Sequence, residues 1–120
     1  YVALVHGVIN HNVGRIEAPI GRDSKDRKKM AVTSKNAKDA ITNFKVLERY
    51  DDMTLIECRL ETGRTHQIRV HMASIGHPIL GDSLYNEGSD YPRLALHAAY
   101  IKFEEPITHL EIDLYSPMEF

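Results

Sequence analysis

The sequence predicts an α+β fold: a mixed, largely antiparallel β-sheet with few helices, within a single domain. Three observations carry that expectation. Several stretches rich in β-branched and aromatic residues alternate apolar with polar side chains, the period of a half-buried strand. Turn-forming clusters separate them. The stretch around Ile68 carries apolar residues at helical spacing.

Taken in order, Tyr1 to His6 reads as a strand, and Asn10, Asn12 and Gly14 mark a turn after it. Gly21 to Met30 is polar and charged and reads as a mobile loop. Its cations either keep the chain soluble or meet a phosphate backbone, and the residues alone do not choose. Ala37 to Tyr50 holds Ala40, Thr42, Phe44, Val46 and Leu47 at near-alternate positions, which favours a strand; a helix starting at Asn36 is the alternative. Asp51-Asp52 makes a tight turn, Met53 to Glu61 alternates as the return strand, and the two form a β-hairpin. A helix from about Thr65 to Ile75 comes next. Thr65 is the expected N-cap, Ile68, Met72 and Ile75 form its buried stripe, Gly76 suits the C′ position and Pro78 stops it. Arg69 falls at the edge of that stripe and requires an anionic partner or a path to water. Ser83 to Arg93 is a surface loop by composition, and Leu94 to Phe103 and Leu110 to Tyr115 read as two further strands.

With 120 residues, 42% of them hydrophobic, the chain can bury a core of its own. The formal net charge is −2, which argues mildly against nucleic acid as a partner. Its distribution argues the other way, because Arg22, Lys25, Arg27, Lys28, Lys29, Lys35 and Lys38 lie close together while Glu104, Glu105 and Glu111 come later. Cys58 is the single cysteine, sits in a strand pattern and reads as a small core residue. No targeting segment or apolar run of membrane-spanning length appears, so a reducing cytoplasm is the expected compartment. His66 and His71 are five apart, roughly 140° around a helix, and so share no metal-binding face. No metal site is expected.

The stretch Gly63-Arg64-Thr65-His66-Gln67-Ile68-Arg69-Val70-His71-Met72, followed by Gly76-His77-Pro78-Ile79-Leu80-Gly81-Asp82 and Tyr85, closely resembles the last catalytic motif of RNA pseudouridine synthases of the RluA/RluD type, which modify large-subunit ribosomal RNA. Tyr1-Val2-Ala3-Leu4-Val5-His6-Gly7 resembles that family's tyrosine motif, and Gly14 to Arg22 with Lys29 to Val32 its middle segment. The resemblance runs from Tyr1 to about Pro117. It implies a fold with a mixed, largely antiparallel sheet and a central cleft, and isomerisation of uridine to pseudouridine in RNA without cofactor or metal. It implies that Tyr1 stacks under the target uracil and helps the later proton removal, and that Arg69 pairs with the nucleophilic aspartate. Arg27, Lys28 and Lys29 are candidate RNA contacts; Arg64 either contacts RNA or supports the preceding strand. In the family the nucleophile lies in an Arg-Leu-Asp-x-x-Thr-Ser-Gly-like segment before the tyrosine motif, and no aspartate here has such neighbours. Residues 1–120 are therefore expected to be the C-terminal portion of a catalytic domain, inactive without its N-terminal portion. The alternative is a non-catalytic RNA-binding module derived from the same fold.

Overall fold

A computed structural model describes residues 1–86, 88–89 and 91–98. Its elements are β1 (Val2–His6), β2 (Val13–Glu17), β3 (Ile20–Arg22), β4 (Met30–Val32), β5 (Ile41–Arg49), β6 (Met53–Leu60), α1 (Gln67–Ser74) and β7 (Leu96–His97). A five-stranded sheet runs β2-β5-β6-β1-β7, and β3 pairs with β4 as a separate two-stranded ribbon. Every described ladder is antiparallel.

The expected hairpin is β5–β6, turning at Asp51-Asp52, with a register shift between Val46 and Glu48. Pairing of Val46 with Ile56 and Phe44 with Cys58 puts these residues on one face, and Ala3, opposite Ile56, joins them. That face meets Ile68 and Met72 of α1 in the main core, with Ile79 and Leu80 from the segment after the helix. Full burial of an aliphatic side chain of this size contributes about 1.5–3 kcal/mol, so Ile56, Met72 and Ile79 anchor the helix to the sheet. The opposite face is polar at its β2–β5 side, where Arg15 pairs with Glu61 and Asn43 donates to the same carboxylate at 2.8 Å. Val70 points away from the main core into a second cluster with Ile20, Ala40, Met30 and Tyr85. The helix is thus held between the sheet and the β3–β4 ribbon.

Several local expectations change. Gly14 lies inside β2 rather than in a turn, paired with Phe44 of β5, and it is a glycine there because a Cβ would come within 2.2 Å of the Phe44 ring. No helix starts at Asn36; Lys38 bonds Ile20 through the backbone, and the strand begins at Ile41. The polar stretch 21–30 contains the ends of β3 and β4. Thr65 is not the N-cap: His66 takes that place in the left-handed region at φ 56°, without a side-chain cap. Ile75 is 40% exposed, since the chain leaves the helix at Gly76, φ +87°, before a third turn of the stripe can be buried. Of the strand expected over Leu94 to Phe103, β7 is the described part, and Leu110 to Tyr115 lies outside the described residues. Cys58 is a core residue as expected; burial pushes its thiol up to about 12. No described helix is long and apolar enough to cross a membrane.

Candidate functional site

The N-terminal end of α1 is fixed by one amide. Gln67 Oε1 accepts the Thr62 hydroxyl at 2.7 Å and the Arg64 backbone N–H at 3.0 Å. Its Nε2 donates to the Ile41 carbonyl at 2.9 Å and to Thr42 Oγ1 at 3.0 Å. All four positions of the side-chain amide are used, which makes burial of Gln67 tolerable. The Ala18 carbonyl can only accept, so His71 Nε2–H donates to it at 2.8 Å, and burial keeps the ring neutral, so Nδ1 accepts the Thr42 hydroxyl proton at 2.7 Å. Burial lowers the His71 pKa, against a smaller upward pull from the Ala18 carbonyl.

With the helix so placed, Arg69 projects toward the segment after it. Its Nε and Nη2 donate to the two carboxylate oxygens of Asp82, both at 2.9 Å, a fork-to-fork pair. The Asp82 side chain is fully buried and that of Arg69 is 17% exposed. The Leu84 and Tyr85 backbone N–H groups add two bonds of 3.0 Å to Asp82 Oδ1. Burial alone would raise the Asp82 pKa; the guanidinium and the two amides outweigh it and hold the group below the usual carboxylate value. Asp82 in turn raises Arg69 further. Among the described residues nothing is hydrogen-bonded to Arg69 Nη1, which keeps two donors for an acceptor brought to it.

Tyr85 closes the cluster. The Arg69 guanidinium carbon lies 5.2 Å from the centre of its ring. Its hydroxyl accepts the Met30 backbone N–H at 2.9 Å and meets His66 Nδ1 at 2.9 Å, with the two rings edge to face. Burial and the nearby Arg69 lower the His66 pKa, which favours a neutral ring accepting the tyrosine proton. Met30 opens β4 at the end of the basic loop. Asp23 Oδ1 accepts the Lys25 and Asp26 amides, and Asp26 Oδ1 accepts that of Lys28. The loop's two acids are engaged with its own backbone, leaving the Arg27 and Lys28 side chains exposed. A groove of about 590 Å³ opens along this ribbon, with Arg22, Arg27, Lys35 and Asn36 in its walls.

The residues singled out from sequence thus fall in four places. Arg69 stands in the cluster just described, and Arg27, Lys28 and Lys29 in the loop that Met30 and Tyr85 tie to it. Arg64 donates Nε–H to the Asp39 carbonyl at 2.8 Å, a bond that supports the chain ahead of β5. Tyr1 is 45% exposed at the start of β1 and, among the described residues, shares no hydrogen bond or ring contact with Arg69. Asp82 and Tyr85 received no role from the sequence. An aspartate followed by free amides two and three residues on is a local turn signal, but nothing in it names a partner 13 residues back.

Residues 1–74 match the family described as RNA pseudouridylate synthase. "Uncharacterized RNA pseudouridine synthase YlyB" of Bacillus subtilis (strain 168) is 52% identical over 120 residues, covering 98% of this chain and 39% of that protein. "Ribosomal large subunit pseudouridine synthase D" of Zymomonas mobilis is 42% identical over 116 residues, 88% of this chain and 37% of that one. Among solved structures, "Human RNA Pseudouridylate Synthase Domain Containing 1" superposes with a TM-score of 0.77 at 34% identity, covering 82% of this chain and 46% of that chain. The chain spans about two-fifths of the length of the curated relatives it matches. With a family match running from β1 through α1, a half-identical relative and a shared backbone, this chain belongs to the RNA pseudouridylate synthase family.

Proposed function

We propose that these 120 residues are the C-terminal part of the catalytic domain of a pseudouridine synthase acting on ribosomal RNA. The observation that carries this reading is the Arg69 guanidinium: fixed through Nε and Nη2 by Asp82, it keeps Nη1 for a second anion. In the reaction the N1–C1′ bond of uridine breaks, a C5–C1′ bond forms, the C5 proton is lost and N1 takes up a proton. A carboxylate nucleophile divides this into easier steps. That carboxylate comes from the N-terminal part of the same domain, and Arg69 keeps it ionised and aimed. Tyr1 stacks on the uracil once the nucleotide has left its helix and helps remove the C5 proton. Arg27, Lys28 and Lys29 hold backbone phosphates, and Arg64 adds a further contact. The relatives named as large-subunit synthases support ribosomal RNA as the substrate, and the chemistry of this reading calls on no cofactor or metal.

The test is release of the uridine C5 proton from RNA by the full-length protein containing this chain. Arg69→Ala is expected to lower turnover about a hundredfold or more, the scale of losing one fixed electrostatic contact. Unchanged turnover would remove Arg69 from the site. Residues 1–120 alone are expected to give no turnover; if they did, the argument for an external nucleophile would fall. RNA binding by a full-length protein that lacks turnover would favour the non-catalytic module.

A further inference from the structure

We propose that Tyr85 is a positioning residue that links the basic β3–β4 loop to Arg69, so that RNA held by the loop and the orientation of the catalytic guanidinium are set together. The inference rests on the reading of Arg69 as a catalytic group. One side chain makes all the connections. The Tyr85 hydroxyl takes the backbone N–H of Met30, the residue directly after Lys29. The same hydroxyl meets His66, the residue that opens α1 in a left-handed conformation, three positions before Arg69. The Tyr85 ring lies beside the Arg69 guanidinium, and the Tyr85 backbone N–H binds Asp82 Oδ1, the oxygen that Arg69 Nη2 also grips. A displacement of the β4 end therefore acts on the arginine by two routes, the ring and the aspartate.

The proton count is consistent with the neutral His66 ring accepting from the phenol. A phenol has one hydrogen and two lone pairs. Met30 N–H occupies one lone pair, so the hydroxyl proton is available to His66 Nδ1. Neither Met30 nor His66 has to change state for this link to persist. Phe at position 85 preserves the ring beside Arg69 and removes both hydroxyl bonds, which isolates the link from the stacking.

The experiment is steady-state kinetics on the full-length protein with an RNA substrate, comparing wild type, Tyr85→Phe, Lys29→Ala and the double variant. Tyr85→Phe is expected to lower kcat about tenfold with KM within about twofold, because the arginine loses its setting while the loop cations remain. Combined with Lys29→Ala, the losses should be less than multiplicative, since both act through the same connection. An unchanged kcat, or a raised KM at constant kcat, would make Tyr85 a mere anchor of the loop and overturn the proposal. If Tyr85→Phe melts much lower than wild type, His66→Gln takes its place, removing the imidazole while leaving the Met30 bond; a kcat loss there supports the link and its absence overturns it. Arg69→Ala in the same assay separates the two readings. If Arg69→Ala is inactive and Tyr85→Phe is fully active, only the Tyr85 link fails. If Arg69→Ala is fully active, the catalytic reading fails, and the link fails with it.

Discussion

Asp82 gives Arg69 both of its carboxylate oxygens, and a carboxamide at that position would keep the shape while removing the charge. In Asp82→Asn the Leu84 and Tyr85 amides still find a carbonyl oxygen, but one Arg69 nitrogen faces an NH2 group. The partly buried guanidinium loses its counter-charge, which costs on the order of 2–3 kcal/mol. Chemical denaturation of the full-length protein should show an unfolding free energy lowered by that amount, read as a lower midpoint at an undiminished slope. A midpoint equal to wild type would mean the ion pair merely balances its own desolvation. At this scale the sequence was half informative. Arg69 stood out because a charge at the edge of an apolar stripe requires a partner, and because the motif around it is long. Asp82 and Tyr85 lie within the same motif, yet their contacts with Arg69 cross the turn at Gly76 to Pro78, and local spacing does not encode contacts made across a turn.

The docking of α1 depends on buried polar groups as much as on Ile68 and Met72. His71 is fully buried and bridges β5, through Thr42, to the link between β2 and β3, through Ala18. Its folded pKa is lowered by burial, so the unfolded chain binds the proton more tightly. The stabilisation is therefore complete above the unfolded value of about 6.5 and is lost as pH falls through the lower folded value. We expect the full-length protein to lose stability on acidification below about pH 6.5, with one proton contributing at most about 1.4 kcal/mol per pH unit. His71→Gln should be less stable at pH 7.5 yet show a shallower acid slope; parallel slopes in the two proteins would exclude His71 as the titrating group. The strand pair β5–β6 and the body of α1 were legible because long periodic patterns report burial directly. The ends were not. Gln67 turns its side chain back onto the Arg64 amide and the helix starts from His66 without a Thr65 cap, and Gly14 pairs with Phe44 in β2, where the ring leaves no room for a Cβ, which only the register reveals.

Across the whole molecule, a net charge of −2 hides a partition. The acids of the β3–β4 loop are turned onto their own amides, while Glu17 and Glu61 share Arg15 and leave a net negative charge on the polar side of the sheet. Total charge therefore understates the field at the loop, where Arg27 and Lys28 face solvent and Lys29 is half-buried. If these three side chains each neutralise one phosphate of single-stranded RNA, they release about two counterions between them, at roughly 0.7 per contact. Binding of the full-length protein to RNA, measured from low to moderate salt, should then give a plot of log affinity against log salt whose slope is smaller by about two in the Arg27→Ala, Lys28→Ala, Lys29→Ala triple variant. The loss should be nearly the same for RNAs of different sequence, because phosphate contacts position a strand without reading it. A weaker affinity with an unchanged slope would mean that the loop acts by shape rather than charge, and an unchanged affinity would move the RNA path off the ribbon altogether.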